Sequence, residues 1–223
     1  MKAGAIIPAA GSGTRMGGAR KAFLELAGKS LLQHCLDAFL SLDEIVQVVV
    51  ALPSEEVRQS PGGMHHGRVR LVAGGAQRAD SVRAALNALS SDIDAVVIHD
   101  AARPLLTPRM IRAVLEIVAG GESATVALPV IDTLHRVDGE QRVLDTPNRA
   151  QFWRAQTPQA FPRSVLERAF AATPNASAAT DEAGLVASAG FVVRVVPGDP
   201  ANLKITTPED ITMAEAAFAR RQA

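Results

Sequence analysis

The sequence predicts an α/β fold in which a mostly parallel β-sheet is flanked by helices, because apolar runs of strand length alternate with helical patterns. The predicted strands are residues 4–9, 46–51, 69–73, 95–99, 123–128 and 192–196. The predicted helices are residues 31–40, 78–89, 108–118, 162–171, 181–189 and 208–220. This alternation is typical of a Rossmann-like arrangement with helices on both faces of the sheet.

Local signals mark the ends of several predicted helices. Ser30 is the expected N-cap of the first helix, and Thr107 precedes Pro108 at the start of the third. Gly120 and Gly190 follow the third and fifth predicted helices, at positions where glycine commonly ends a helix.

Residues 131–150 break the alternation, because two short predicted strands (133–137 and 142–144) flank Asp138-Gly139, a typical hairpin turn. A lone two-stranded hairpin is only marginally stable in water. We therefore expect this segment to protrude as a β-arm that packs against a second copy and forms a homodimer. The alternative is an extra antiparallel pair that packs onto the parent sheet.

Composition limits the possible functions. The chain has 223 residues, 48% of them hydrophobic, so we expect a single domain over residues 1–223 with a full core. Its 23 basic residues balance 23 acidic ones, and it has one Trp and no Tyr, which argues against nucleic acid or an anionic membrane as a partner. Cys35 is the only cysteine, which suits a reducing compartment, and we expect a cytoplasmic protein.

The first strand runs into a glycine-rich loop that is typical of phosphate binding. Gly11 and Gly13 let backbone N–H groups approach a polyanion, and Arg15 and Lys21 follow as cations. The glycine spacing does not fit a dinucleotide fingerprint, and Phe23 stands where a Walker loop needs its first glycine. The loop instead resembles the signature of nucleotidyltransferases that activate sugars and polyols. The alternative is a glycine-rich turn with solvated charges.

Polar residues also follow other predicted strands where each strand ends. Residues 74–81 follow the third strand, residues 99–104 the fourth, and Asn202-Leu203-Lys204 the last. Because ligands of parallel sheets bind beyond the carboxyl ends of the strands, we expect these residues to meet at one edge of the sheet.

Seven sequence blocks occur in order along nearly the whole chain. They are Ala-Ala-Gly-Ser-Gly-Thr-Arg-Met (9–16), Gly-Gly-Ala-Gln-Arg-Ala-Asp-Ser-Val (74–82), His-Asp-Ala-Ala-Arg-Pro (99–104), Asp-Thr (132–133), Gln-Thr-Pro-Gln (156–159), Thr-Asp-Glu (180–182) and Asn-Leu-Lys-Ile-Thr-Thr-Pro-Glu-Asp (202–210). Together they resemble the 2-C-methyl-D-erythritol 4-phosphate cytidylyltransferase family.

This resemblance implies transfer of CMP from CTP to 2-C-methyl-D-erythritol 4-phosphate, with release of pyrophosphate, in the non-mevalonate route to isoprenoids. The alternatives are a ribitol 5-phosphate cytidylyltransferase and a catalytically inactive nucleotide-binding module.

The resemblance also implies roles for individual residues. Arg15, Lys21 and Lys204 are the expected catalytic cations, which would neutralise the reacting phosphates; the alternative for Lys204 is an ordinary surface lysine. The residues expected to bind CTP lie in the loops after the first, third and fourth strands: Ala9, Ala10, Gly11, Gly13, Gly75, Ala76, Arg78, Ser81 and Ala101. The alternative for Ser81 is a structural cap of its helix.

Asp100 is expected to bind Mg²⁺ or another divalent cation, since hard cations favour carboxylate and phosphate oxygens. The alternative is an aspartate that caps the following turn. We expect the neighbouring His99 to pack and to orient its neighbours, not to transfer a proton. The acceptor phosphate is expected to meet Asp100, Arg103, Thr157, Thr180 and Lys204 of one subunit, and Thr133 and Arg149 from the arm of the other.

Overall fold

A seven-stranded sheet runs through the centre of the molecule in the computed structural model, which describes residues 1–11, 21–59, 66–173 and 179–222. The strands are Ala3–Pro8 (β1), Glu25–Leu26 (β2), Lys29–Ser30 (β3), Ile45–Leu52 (β4), Val69–Ala73 (β5), Ala95–Ile98 (β6), Ser123–Pro129 (β7), Arg136–Val137 (β8), Val143–Asp145 (β9), Trp153–Pro162 (β10) and Val193–Pro197 (β11). The helices are Leu31–Leu40 (α1), Ser54–Gln59 (α2), Arg78–Ala88 (α3), Pro108–Ala119 (α4), Arg163–Ala172 (α5), Glu182–Ser188 (α6) and Pro208–Gln222 (α7).

The strand order of the central sheet is β11-β7-β10-β6-β1-β4-β5. Strand β10 runs antiparallel to both of its neighbours, β6 and β7, and the other neighbouring pairs are parallel. The predicted α/β class, with a mostly parallel sheet flanked by helices, is therefore confirmed.

Both faces of the central part of the sheet are buried, which explains why its central parallel strands β1 and β6 are continuously apolar. Ile7 packs into one hydrophobic cluster together with α1 and α4, and Ile6 packs into a second cluster with α3, α5 and α6. Both side chains are fully buried, because successive residues of a strand point to opposite faces.

Strand β10 is the strand of the central sheet that was not predicted from the sequence. Pro158 lies in its middle, and proline is normally confined to edge strands because it has no N–H to donate. The pairing of β10 with β7 is irregular between Ala155 and Gln159, which is where the proline is accommodated. The polar side chains of Gln156, Thr157 and Gln159 are buried along this strand.

Several predicted helix boundaries are confirmed by capping contacts. The hydroxyl of Ser30 accepts a hydrogen bond from the N–H of Gln33 at 3.1 Å, and that of Thr107 accepts one from Met110 at 3.3 Å. Helix α5 begins and ends one residue later than predicted. Helix α2 and the small β2–β3 hairpin were not predicted.

The predicted hairpin at 131–150 is present as strands β8 and β9, which form a separate two-stranded sheet. The alternative of an added pair on the parent sheet is therefore wrong. Every residue from 131 to 150 is at least partly exposed. Apolar side chains are among them, with Ile131 71% exposed and Leu144 57% exposed.

A third hydrophobic cluster packs the C-terminal helix α7 against the remainder of the chain. Ile205 is fully buried in it together with Leu26, Leu31 and Leu105. This packing anchors the residue next to Lys204.

Within the described part of the chain, no helix has both the length and the apolar composition that a membrane crossing requires.

Candidate active site

A cleft of about 540 Å³ opens at the carboxyl-terminal edge of the central strands. It is lined by Pro8, Ala9, Ala10, Gly11, Lys21, Ala22, Gly75, Ala76, Gln77, Arg78, Ser81, Asp100, Ala101, Ala102 and Lys204. Residues far apart in sequence therefore share one cleft, in the place that the strand ends predict. Arg15 and Gly13, which were also predicted to belong here, lie outside the described residues.

The small residues of this cleft allow two loops to approach each other closely. A Cβ atom on Gly74 would lie 2.4 Å from the Cβ of Ala10, and one on Gly75 would lie 2.4 Å from the Cβ of Asp80. Glycine at position 74 therefore lets the loop after β5 approach Ala10, which follows β1, and glycine at position 75 lets the same loop pack against the first turn of α3.

Ser81 holds the loop after β5 in shape. Its hydroxyl accepts a hydrogen bond from the N–H of Gly75 at 3.2 Å and lies 3.2 Å from the carbonyl of Gln77, to which it can donate. Ser81 therefore has a structural role in holding the loop, but the cap of α3 is formed by Gln77 and Asp80, where the N–H of Gln77 donates to Oδ2 of Asp80 at 3.1 Å. Ser81 also lines the cleft, and its contact with the nucleotide stays a prediction.

Lys21 and Lys204 approach the cleft from segments that contact each other. The Nζ of Lys21 donates to the carbonyl oxygens of Thr206 at 3.3 Å and Ile205 at 3.5 Å. The N–H of Ile205 in turn donates to the carbonyl of Ala102 at 2.8 Å, which ties the segment carrying Lys204 to the turn after β6. These contacts hold Lys21, Lys204 and the end of β6 close together.

Asp100 lies between two cations. Its Oδ1 accepts a hydrogen bond from the Nε of Arg78 at 3.0 Å, and its Oδ2 accepts one from the Nζ of Lys204 at 2.7 Å. Burial by itself would raise the pKa of Asp100, but the charges of Arg78 and Lys204 hold that pKa well below its usual range. The carboxylate is therefore ionised at neutral pH.

Arg78 also binds a second acid, Glu182, which is 1% exposed. The Nη1 of Arg78 lies 2.8 Å from Oε1 and 2.6 Å from Oε2 of this carboxylate. Burial raises the pKa of Glu182, and the charge of Arg78 opposes that rise. Glu182 was quoted only as part of the Thr-Asp-Glu block at 180–182 and has no role predicted from the sequence. An acid in the first turn of a helix is ordinarily explained by the helix dipole.

A chain of hydrogen bonds supports Asp100 from behind. The N–H of Asp100 donates to the hydroxyl of Thr157 at 3.1 Å, and that hydroxyl lies 3.0 Å from Nδ1 of His99. Nε2 of His99 lies 3.0 Å from the carbonyl of Arg103. These partners assign the proton of a neutral imidazole to Nε2, with the Thr157 hydroxyl donating to Nδ1. His99 thus packs and orients its neighbours, as predicted.

A buried polar network supports the segment that carries Lys204. The side chain of Asn202 donates to the carbonyl of Thr157 at 2.8 Å, and the side chain of Gln156 donates to the carbonyl of Asn202 at 3.2 Å. A Cβ atom on Gly198 would lie 2.4 Å from Oε1 of Gln156, so a larger residue here would have to displace that side chain from the network. The network could not be derived from sequence, because β10 was not predicted.

The structure does not bring every predicted acceptor residue to the cleft. Arg103 donates to the carbonyls of Asn202 at 2.8 Å and Ala155 at 3.3 Å, beside the segment of Lys204. Thr180 is exposed just before α6, and Thr133 and Arg149 are exposed on the arm. Within one chain, Asp100 and Lys204 are the predicted acceptor residues that line the cleft, and the other five, Arg103, Thr157, Thr180, Thr133 and Arg149, are not part of its lining.

The residues of the cleft fit a magnesium ion that is held mainly by a bound triphosphate. Asp100 is the only carboxylate among the described residues that line it. No three metal-ligating side chains (His, Cys, Asp or Glu) cluster anywhere in the described ranges. Mg²⁺ commonly takes one or two carboxylates and completes its shell with phosphate oxygens and water, so a single aspartate is a suitable donor.

Comparisons with known proteins agree on one family. A model of the IspD family, 2-C-methyl-D-erythritol 4-phosphate cytidylyltransferase, matches residues 3–220. Relatives with that name include one from Rhodococcus jostii, 44% identical over 95% of this chain and 93% of the relative, and one from Deinococcus radiodurans, 46% identical over 95% and 88%. The crystal structure of the Thermus thermophilus enzyme has a TM-score of 0.79 at 35% identity, covering 99% of this chain and all of that one.

We expect the imidazole of His99 to stay neutral well below neutral pH. Burial lowers the pKa of His99 from 6.5 to about 4. Between about pH 4 and pH 6.5, His99 is therefore protonated in the unfolded chain and neutral in the folded chain. Stability should fall by roughly 3 kcal/mol from this group as the pH drops from about 6.5 to 4. NMR titration of the imidazole is the direct measurement, and a midpoint near 6.5 would contradict the expectation.

Proposed function

The chain belongs to the 2-C-methyl-D-erythritol 4-phosphate cytidylyltransferase family, and we propose that the cleft described above is where it transfers CMP from CTP to 2-C-methyl-D-erythritol 4-phosphate. The observation that carries this assignment of the site is the meeting of Lys21, Asp100 and Lys204 in one cleft. A polyanionic donor and a polyanionic acceptor can be held together only where cations concentrate.

CTP is proposed to lie along the two loops that glycine brings together. The backbone at Ala9, Ala10 and Gly11 would approach the triphosphate, with Lys21 beside it and Arg15 supplied by the same loop. The base would lie against Gly75, Ala76, Ser81 and Ala101, where backbone groups and a hydroxyl can match the amine and carbonyl of cytosine.

In the proposed reaction an oxygen of the acceptor phosphate attacks the α-phosphorus of CTP. A new P–O bond forms to that oxygen, the bond between the α-phosphorus and its bridging oxygen breaks, and pyrophosphate leaves with the electron pair. The acceptor phosphate is already ionised, so no base is required. Lys21 and Lys204 would align the reactants and neutralise the charge that develops on the transferred group and on the leaving pyrophosphate.

Asp100 is proposed to hold Mg²⁺, or another divalent cation, together with the triphosphate. When bound, the cation would neutralise phosphate charge and act as a Lewis acid. The carboxylate is suited to this role because its pKa is lowered and it stays ionised. Its Oδ2 is shared with Lys204, whose side chain is 43% exposed and can turn toward a phosphate.

The acceptor site is proposed to be completed by a second copy of the chain. Arg103, Thr157 and Thr180 would contribute from one subunit, and Thr133 and Arg149 from the arm of the other. The exposed apolar side chains of the arm support a homodimer, since residues such as Ile131 would be covered in it. Residues 131–150 would then be an arm of one domain spanning 1–223.

The cytoplasm is the proposed compartment, because the single cysteine suits a reducing environment.

The choice of substrates is tested by incubating the protein with Mg²⁺ and each combination of nucleotide and polyol phosphate, and measuring pyrophosphate. We expect turnover with CTP and 2-C-methyl-D-erythritol 4-phosphate, and little with ATP, GTP or UTP. A clear preference for ribitol 5-phosphate would refute the acceptor assignment. Calorimetry that detects CTP binding without any turnover would indicate an inactive nucleotide-binding module.

Replacing either lysine of the cleft should slow the chemical step more than it weakens nucleotide binding. We expect Lys21→Ala and Lys204→Met each to lower kcat by about a hundredfold, or about 3 kcal/mol, because each cation acts on charge that develops in the transition state. Lys29→Met is the matched control, since Lys29 is exposed and pairs with Asp37 away from the cleft. Equal losses in kcat and in CTP affinity would instead indicate ground-state binding.

The proposed contribution of the arm predicts complementation between two inactive variants. Arg149→Ala removes a residue from the arm, and Lys21→Ala removes one from the cleft. Mixed dimers of the two should recover activity, because one of their two sites would carry both native residues. If subunit exchange is demonstrated by mass spectrometry and no activity returns, the site is built within a single chain.

A further inference from the structure

Glu182 is the acid near the cleft for which neither the sequence motifs nor the proposed reaction supplies a role. It belongs to the Thr-Asp-Glu block at 180–182 and lies at the first residue of α6. Its side chain is only 2% exposed, and the carboxylate binds Arg78, a residue 104 positions away in sequence. A charged group buried this deeply is costly, and a buried ion pair is weak evidence of a contribution to stability. Its presence therefore requires another explanation.

Arg78 is bound at two points by two different acids. Its Nε donates to Oδ1 of Asp100, and its Nη1 lies between the two oxygens of Glu182. A guanidinium is planar and rigid, so contacts at two of its corners define its orientation. Arg78 is thereby fixed with a single hydrogen bond to Asp100.

The third nitrogen of this guanidinium, Nη2, is buried and has no hydrogen-bond partner among the described residues. Nε and Nη2 form one edge of an arginine fork, the edge that commonly grips both oxygens of a carboxylate. Arg78 uses only half of that edge on Asp100, and an unpaired buried donor of this kind calls for an explanation. The second oxygen of Asp100 is occupied by Lys204.

We infer that Glu182 is a positioning residue for the transfer reaction. Glu182 restrains Arg78, so that Oδ2 of Asp100 stays free to accept the hydrogen bond from Lys204. This inference rests on the proposed function of the cleft. Without the charge of Glu182, Arg78 can turn so that Nε and Nη2 both bind Asp100, which satisfies the unpaired donor. Lys204 then loses its partner and its position beside the reacting phosphates.

The charges of the group favour the same conclusion. Arg78 and Lys204 balance Asp100 and Glu182, so the four side chains are neutral together. Removing the negative charge of Glu182 leaves two cations for one carboxylate. The more rigid and better buried cation, Arg78, is then expected to displace the lysine, because a two-point contact to a carboxylate is stronger than a one-point contact.

The test compares Glu182→Gln with Asp181→Asn. Asp181 is the adjacent acid at the same helix end, and its carboxylate accepts hydrogen bonds from the N–H of Gly184 and the side chain of Gln159, whereas Arg78 pairs with Asp100 and Glu182. We expect Glu182→Gln to lower kcat by about tenfold to a hundredfold, the usual effect of losing a group that orients a ligand-binding residue. KM for CTP should change by less than about threefold, and Asp181→Asn should retain the native kcat.

A double-mutant cycle with Arg78→Lys asks whether Glu182 acts through Arg78. The double variant should be no slower than Arg78→Lys alone, because the arginine that Glu182 restrains is already absent. If the two losses multiply, or if Asp181→Asn is as slow as Glu182→Gln, the inference is wrong. Thermal unfolding and CTP calorimetry establish that each variant is folded.

A crystal structure of Glu182→Gln decides the question without any turnover. We expect both Nε and Nη2 of Arg78 on Asp100, with Lys204 displaced from it. A structure in which Lys204 remains on Oδ2 would overturn the inference. If the native protein shows no turnover, the proposed function is wrong. The inference about Glu182 is still tested in that case, because the position of Lys204 in this variant is seen in the crystal structure.

Discussion

Asp100 lies at the end of a fully buried strand, and its carboxylate stays ionised there because Arg78 and Lys204 donate to its two oxygens. The remainder of the cleft depends on this pair of contacts. They join the start of α3, the end of β6 and the segment before α7, which are separated by long stretches of sequence. An uncompensated carboxylate at this depth would lose its charge, and with it any ability to hold cations.

The two cations on Asp100 differ in how firmly they are held. Arg78 is bound by a second acid and its side chain is 25% exposed, whereas that of Lys204 is 43% exposed. The arginine therefore suits a structural role, and the lysine suits a role in which it leaves the protein partner for a substrate. Burial of the Ile205 side chain keeps the backbone beside Lys204 in place while the lysine side chain can move.

Strand β10 explains how the sheet supports this group from behind. Its polar residues would be out of place in an ordinary central strand, but Gln156 and Thr157 have partners connected with the cleft, and Gln159 is satisfied by Thr125, Asp181 and Ala183. Thr157 links the N–H of Asp100 to His99, and Gln156 and Asn202 hold the segment that leads to Lys204. A central strand here contributes polar contacts to the site as well as apolar area to the core.

The sequence by itself determined the α/β class, most helices and parallel strands, the hairpin at 131–150 and the convergence of Lys21, Asp100 and Lys204. All of these follow from local patterns: the period of apolar residues, the residues typical of helix caps and turns, and the rule that the carboxyl ends of parallel strands meet at one edge of the sheet. Only the tertiary structure decided the place of β10, whose Pro158 argues against a central strand, and the pairing of Glu182 with Arg78. Those features depend on contacts between distant residues, and a local pattern carries no information about which buried acid will face which cation.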